Sequence, residues 1–239
     1  MIVRHPRSSS GPGASIGLLN EGHLHAALKE RYAKPGDKVE ADVDGYVVDI
    51  LRGDLIIEIQ TANFAGIARK VRDLVSRHRL LLVYPAPRDL WIVKLSQHEG
   101  DIAVRRKSPK HQDVIDVFGE LVSFPELIMH KNFQLDVVLT QEEELRSFDK
   151  RRRWRRRGWA TVERRLVDVI ETVSLRDAAD YTALVPAHLP ERFRASDIAT
   201  AIGRPRRLAQ QVAYCLRKSG LIEQAGNEQN AIVYSRVAR

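Results

Sequence analysis

Two carboxylates share one face of a short apolar hairpin in this chain. In the segment VVDILRGDLIIEIQT, residues 47–61, the dipeptide Gly53-Asp54 is a two-residue turn signal with glycine at the first central position. A hairpin closed at that turn places Asp49 opposite Glu58, and because strand side chains alternate between faces, Gln60 lies on the same side as Glu58. Neighbouring acids on an apolar face are stable only when a cation or a proton offsets their repulsion. The segment therefore predicts a site that holds a cation or a proton.

The elements around the hairpin follow the order α, β, β, β, α, β. A second tight turn, Asp44-Gly45, separates the first two strands. The predicted elements are a helix over Ser15–Tyr32, strands over Val39–Val43, Tyr46–Leu51 and Leu55–Thr61, a helix over Phe64–Ser76 and a strand over Leu80–Tyr84. This order indicates an α/β fold.

With these elements the chain resembles the PD-(D/E)XK nuclease superfamily, which has an acid at the end of the second core strand and Glu-x-Lys on the third. Asp49 matches the first acid, and Glu58-Ile59-Gln60 matches Glu-x-Lys with glutamine in the lysine position. From residue 20 to its C-terminus the chain is similar to a bacterial family of PD-(D/E)XK-like proteins of unknown function. The resemblance implies a restriction-endonuclease-like αβββαβ core and metal-dependent phosphodiester hydrolysis, without a substrate.

The expected metal is Mg²⁺, or Mn²⁺ in its place, because hard divalent cations take oxygen ligands. We expect the carboxylates of Asp49 and Glu58 and the backbone carbonyl of Ile59 to hold it. Such an ion lowers the pKa of a bound water and stabilises charge on the scissile phosphate. The resemblance adds Glu21, a glutamate on the first helix that completes the metal site in many relatives. The alternative for Glu21 is a first-turn acid favoured by the helix dipole.

Gln60 departs from the superfamily pattern, because glutamine orients a water but carries no charge and takes no proton. Two accounts stay open. In the first, Lys70 on the following helix brings its ammonium into the vacant position. In the second, the fold is kept for binding with little or no cleavage, and Lys70 is a solvated helix residue.

Other ligand types contribute little to the predicted site. His23 and His25 lie two residues apart on a helix and point about 200° apart, so we predict surface or packing roles for both. A single cysteine, Cys215, excludes an intramolecular disulfide and a cysteine-rich zinc site.

The composition favours a polyanionic partner. Charged residues make up 29% of the chain and the net charge is +8. We expect nucleic acid, with duplex DNA ahead of RNA, and a homodimer is a further option that the sequence leaves open. No apolar run approaches a membrane span, and the N-terminus lacks an apolar signal core, so we expect no membrane partner and a cytoplasmic protein.

The predicted organisation has four parts: a flexible tail (residues 1–14), a nuclease-like domain (15–140), a connector (141–160) and a C-terminal domain (161–239). The connector combines an acidic helix over Gln141–Phe148 with an arginine run. So dense a positive block repels itself unless an anion is near. We expect the run to contact phosphates through Arg151, Arg152, Arg153, Arg155, Arg156 and Arg157.

The C-terminal third resembles a winged helix-turn-helix domain. Its predicted elements are an amphipathic helix over Val162–Val173, a helix capped by Ser196 and ended by Gly203, a helix over Arg204–Lys218, and two wing strands, Leu221–Gln224 and Ile232–Arg236, joined near Gly226-Asn227. One stripe of the long helix suits base edges and phosphates. Its residues are Arg207, Gln210, Gln211, Tyr214 and Lys218, and Arg206 is a further residue that we expect to bind nucleic acid. The alternative is a winged helix used for dimerisation or protein contact.

Two functional hypotheses follow. The first is a Mg²⁺-dependent endodeoxyribonuclease that its winged helix targets to DNA. The second is a non-catalytic DNA-binding or regulatory protein with a degenerate nuclease site. Loss of charge at Gln60 favours the second, whereas Asp49, Glu58 and Glu21 together favour the first.

Overall fold

A computed structural model describes residues 22–95, 102–148 and 158–237 and shows a mixed α/β fold built on two sheets. The large sheet has seven strands: β1 (Lys38–Val43), β2 (Tyr46–Arg52), β3 (Leu55–Ile59), β4 (Arg79–Leu95), β5 (Ile102–Lys107), β6 (Phe133–Phe148) and β7 (Trp159–Leu175). Their order is β1-β2-β3-β4-β6-β7. The first half of β4 pairs with β3, and β5 pairs with the second half on the same edge.

The predicted hairpins are confirmed. Asp44 and Gly45 both have positive φ, 52° and 82°, in the tight turn between β1 and β2. Gly53, with φ 59°, begins the turn that joins Arg52 to Leu55. These turns need the left-handed conformation that glycine adopts without steric cost. The three strands of the predicted meander therefore stand where the sequence places them.

Helices cover both faces of the large sheet. On one face α1 (His23–Tyr32) buries Leu24 and Leu28 against apolar residues of β3 and β4. On the other face lie α2 (Phe64–Val75) and a run of short helices: a 3-10 turn over Val114–Val117, α3 (Phe118–Leu121) and a 3-10 turn over Pro125–Met129. Helix α1 begins at His23. Residues 15–21 of the predicted first helix lie outside the described residues.

Three long strands differ from the predictions. The predicted strand Leu80–Tyr84 is the first part of a much longer strand, β4, whose register with β6 shifts between Pro87 and Asp89. The predicted acidic helix Gln141–Phe148 is wrong, because these residues continue β6 between β4 and β7. The predicted helix Val162–Val173 is also wrong, because it is part of β7.

The C-terminal elements follow the order α, β, α, α, β, β. They are α4 (Ala178–Ala183), β8 (Arg192–Arg194), α5 (Ala195–Ile202), α6 (Arg206–Lys218), β9 (Ile222–Glu228) and β10 (Ala231–Arg236). The three strands form the small sheet in the order β8-β10-β9. Two local predictions are corrected. Helix α5 has Arg194 rather than Ser196 at its N-cap, and the turn between β9 and β10 is formed by Gln229 and Asn230 rather than near Gly226.

A continuous hydrophobic core joins the C-terminal elements to the large sheet. Helix α6 packs on α3, where Cys215 Sγ lies 3.9 Å from the carbonyl oxygen of Phe118 and Gln211 donates to the carbonyl of Gly119 at 3.5 Å. Arg204 forms an ion pair with Asp116 at 3.1 Å. Among the described helices, none is both long and apolar enough to cross a membrane.

Candidate active site

The strands β2 and β3 part at the predicted acidic pair. Their antiparallel ladder ends at Ile50 opposite Ile57, and beyond that pair two carboxylates lie in the opening. The backbone amide of Ile59 donates to Asp49 Oδ2 at 2.7 Å, and the amide of Asp49 lies 3.4 Å from Glu58 Oε2. Each acid therefore accepts a hydrogen bond from the opposite strand. The structure brings Asp49, Glu58 and Ile59 together as expected from the sequence.

Lys70 reaches this pair from α2. Its ammonium donates to Glu58 Oε1 and, at 2.7 Å, to the carbonyl oxygen of Val47. The Glu58 side chain is only 7% exposed, so this ion pair is shielded from bulk water. A cation therefore stands beside the acids, which is the geometry that the account of a relocated lysine requires.

Gln60 is turned away from the acids. Its side-chain amide donates to the carbonyls of Ala62 and Asn63 in the loop that leads into α2. Its backbone amide continues the parallel pairing of β3 with β4 by donating to the carbonyl of Val83 at 2.9 Å. In this arrangement the glutamine side chain shapes the loop and does not contact either carboxylate.

His25 is the site residue that the sequence interpretation missed. Its Nε2 lies 3.2 Å from Asp49 Oδ2, so the prediction of a surface or packing role was wrong for this residue. His23 points elsewhere and lies 3.3 Å from Glu163 of β7. The divergence of the two side chains was predicted correctly, but helix spacing alone carries no information about which of them faces β2.

Burial and hydrogen bonding together shift the pKa values of the two acids in opposite directions. Burial raises the pKa of Glu58 and the neighbouring Asp49 raises it further, while Lys70 lowers it only in part. Burial also acts to raise the pKa of Asp49, but hydrogen bonds from His25 and the Ile59 amide outweigh it and leave that pKa below its usual value. The pair thus contains one firmly ionised carboxylate and one that is destabilised as an anion.

This donor set suits a hard divalent cation. Within the described ranges no group of three or more His, Cys, Asp and Glu side chains could hold a metal. Mg²⁺ needs fewer, because it usually keeps several waters and binds one or two carboxylates together with substrate phosphates. Asp49 and Glu58 supply two oxygen ligands, and a cation between them would relieve the repulsion that raises the pKa of Glu58. Glu21 lies outside the described residues.

Helix α6 presents a second set of predicted residues. Its exposed face carries Arg206, Arg207, Gln210, Tyr214 and Lys218. None of the three cations in that set forms an ion pair with a residue that the structure describes, whereas Arg192 and Arg194 of β8 both pair with Glu228. Gln211 is half-buried against α3. The arginine run from Arg151 to Arg157 lies outside the described residues.

Comparisons with known proteins give a family without an assigned activity. The profile of the family described as "Domain of unknown function (DUF8091)" matches residues 22–176, which include the whole large sheet. An uncharacterised protein of Treponema pallidum (strain Nichols) is 28% identical over 186 residues, which is 77% of this chain and 74% of that relative. No solved structure matches the chain.

Proposed function

The chain belongs to the DUF8091 family of domains of unknown function, and we propose that it is a divalent-metal-dependent nuclease of the PD-(D/E)XK type that acts on duplex DNA. The observation that carries the proposal is the placement of Asp49 and Glu58 at the point where β2 and β3 part, with Lys70 on Glu58. Two carboxylates and one cation at a sheet opening form the set of groups that metal-dependent phosphodiester hydrolysis uses. The order of helices and strands around the pair is the one expected for a restriction-endonuclease-like core.

Each side chain then has a role in this reaction. Asp49, Glu58 and the Ile59 carbonyl would hold Mg²⁺ or Mn²⁺, which when bound supplies Lewis-acid stabilisation of the phosphate and a more acidic water. The hydrogen bonds from His25 and the Ile59 amide keep Asp49 ionised and oriented. Lys70 places a positive charge where negative charge develops on the phosphate oxygens, which lowers the transition-state energy.

The C-terminal elements support DNA as the substrate. Their order, α4, β8, α5, α6, β9, β10, is that of a winged helix in which α6 would be the recognition helix. We propose that Arg206, Arg207 and Lys218 contact phosphates, because their charges are not offset by described acids. Gln210 faces solvent and suits a base edge, whereas the half-buried Gln211 supports the packing of α6. The arginine run 151–157 would add contacts that do not depend on sequence.

A second candidate function rests on Gln60. Because its amide is hydrogen-bonded within the loop and Lys70 already binds Glu58 and a backbone carbonyl, a protein that binds DNA without cutting it is the alternative. The two candidates differ in one observable property. A nuclease releases new ends in the presence of Mg²⁺ or Mn²⁺, and a binding protein leaves the duplex intact.

The test is cleavage of duplex DNA by the full chain. Wild-type protein should cut in Mn²⁺ or Mg²⁺ and not in EDTA, and Asp49→Asn or Glu58→Gln should lower the rate by more than about a hundredfold, since even groups that only support ligands contribute ~10–100-fold. Asp54→Asn is the matched control, because Asp54 is an exposed acid in the adjoining turn. Full activity in the Asp49→Asn/Glu58→Gln double variant would exclude this site as the catalytic centre.

A further inference from the structure

An open cavity of about 280 Å³ lies next to the carboxylate pair. Its walls come from the start of α1, the loop that follows β3 and the first half of β7, and include Leu24, His25, Thr61, Val162 and Arg164. His25 links the two places, because the same side chain lies 3.2 Å from Asp49. The cavity is open to solvent, and its volume is sufficient for a phosphate group.

Arg164 is the cation of this cavity, and a buried acid holds it in place. Its Nη2 donates to Glu142 Oε2 at 2.5 Å. The other oxygen of that carboxylate accepts from Thr140 Oγ1 at 2.7 Å, and the Glu142 side chain is 0% exposed. A carboxylate buried so completely is costly unless it is paired, so its partner is held in one orientation. The guanidinium of Arg164 is therefore fixed before any ligand arrives.

Several donors of Arg164 remain available. Neither Nε nor Nη1 makes a hydrogen bond to a residue in the described ranges, and the side chain is 31% exposed. The acid on the same wall, Glu163, is already bound by Arg165 Nε and Nη2 at 2.6 and 2.9 Å, so its charge is offset locally. A planar guanidinium with free donors matches the oxygens of a phosphate group.

We propose that this cavity is a phosphate subsite, in which Arg164 binds a phosphate of the nucleic-acid strand whose scissile bond lies at Asp49 and Glu58. Thr61 contributes a hydroxyl to the same wall. Glu142 is a positioning residue, because it acts through Arg164. The assignment deepens the proposed nuclease function and rests on it for the identity of the strand. The bound phosphate is either the terminal monoester of a DNA end or an internal diester next to the cut.

The direct test uses thymidine 5′-monophosphate as the probe, with thymidine as its control, in EDTA. The Nε–H resonance of Arg164, assigned by its loss in Arg164→Lys, should shift saturably with the monophosphate and not with the nucleoside. No saturable shift of this resonance would overturn the subsite. This experiment needs no cleavage, so a protein that shows the shift but never cuts DNA would refute the proposed function and leave the phosphate site standing.

The second test measures affinity for a short DNA duplex in Ca²⁺. Arg164→Ala alone leaves Glu142 buried without its cation, which can destabilise the fold. The double variant Arg164→Ala/Glu142→Gln avoids that buried charge and is tested in parallel. A thermal melt checks that both variants are folded. Either variant should bind about 10- to 100-fold more weakly, the range expected when hydrogen bonds to a charged group are removed. Arg165→Ala/Glu163→Gln is the matched control, since it removes the neighbouring arginine together with the acid that it binds and leaves no unpaired charge on the cavity wall. Equal weakening by Arg165→Ala/Glu163→Gln, or none by the Arg164 variants, would overturn the proposal.

The same variants distinguish the two sources of phosphate. If the ligand is a terminal monoester, the effect of removing Arg164 should be seen with a 5′-phosphorylated duplex and be lost with a 5′-hydroxyl duplex. If it is an internal diester, the effect should persist on closed circular DNA. Both results support the subsite, and absence of the effect on all three substrates contradicts it.

Discussion

Lys70 and Glu58 form an ion pair between α2 and β3, twelve positions apart in sequence. The second contact of the ammonium, 2.7 Å to the Val47 carbonyl, ties the same side chain to β2. Helix α2 therefore places a cation at the opening between β2 and β3, where the uncharged Gln60 supplies none. If the protein is a nuclease, this lysine carries the charge that the transition state needs.

Removing that charge gives the first prediction. Lys70→Ala should lower the cleavage rate constant by about 10²–10³-fold, the usual effect of deleting one group that stabilises a developing oxyanion. Single-turnover cleavage in Mn²⁺ measures it. Arg69→Ala is the control, because Arg69 is the preceding residue and its side chain is 92% exposed. Full activity in Lys70→Ala would rule out a relocated lysine, because that variant would have lost no activity for Gln60→Lys to restore.

The carboxylate pair gives a second prediction that does not depend on catalysis. Because a cation offsets the repulsion between Asp49 and Glu58, Mn²⁺ should stabilise the wild-type protein, by about 2.7 kcal/mol at a metal concentration one hundred times Kd. Thermal melts with and without Mn²⁺ measure the effect. Glu58→Gln should abolish it, whereas Asp54→Asn should retain it. Equal stabilisation of the Glu58→Gln protein would mean that the metal binds elsewhere.

The buried Glu142 gives a prediction about pH. Burial raises its pKa, and Arg164 and Thr140 lower it only in part, so the folded state holds this proton more tightly than the unfolded chain. The contribution of Glu142 to stability is therefore greatest below its unfolded pKa, about 4.3, and is lost as pH rises through the folded pKa.

The measurement is urea unfolding of wild type and Glu142→Gln at a series of pH values. The free energy of unfolding of wild type minus that of the variant should decrease as pH rises from about 4 to about 8. Glu143→Gln, which removes the next acid on β6 and its 2.8 Å bond from Arg105, is the control for loss of an ion pair. A wild-type minus Glu142→Gln difference that stays constant across this range would contradict the assigned direction.

Local signals in the sequence predicted the meander well. Tight turns at Asp44-Gly45 and Gly53-Asp54 fix the register of β1, β2 and β3, so the position of Asp49 near Glu58 followed from counting residues. The contacts of Lys70 and His25 could not be counted in this way. Both residues lie on helices, and their orientation depends on how α1 and α2 pack against the sheet.

The two wrong helix predictions have separate physical reasons. Residues 141–148 are rich in helix formers, but in β6 their acids are held by Arg164, Arg105 and Arg146 from positions that a helix would not provide. In β7 the spacing of Val162, Leu166, Val169 and Val173 imitates a helix. Register shifts against β6 leave Val162, Val167 and Ile170 unpaired as bulges, so Leu166 and Val169 face the same side although they are three residues apart.

The last prediction concerns the exposed face of α6. If its cations, which pair with no described acid, bind phosphates, then log Kd for duplex DNA should vary with log salt concentration, and removing one phosphate contact should reduce the slope by about 0.9. Arg207→Ala and Lys218→Ala should each show this change, and Arg77→Ala, which removes an exposed arginine paired with Asp44, should not. The full chain is needed, because α6 shares its core with α3.

Gln211→Ala is a further control on the same helix. Because the Gln211 side-chain amide lies against the Gly119 carbonyl, this variant should melt at a lower temperature but keep the wild-type salt slope. If instead Arg207→Ala and Lys218→Ala leave both affinity and slope unchanged, α6 is a surface for protein contact and DNA must be bound elsewhere on the chain.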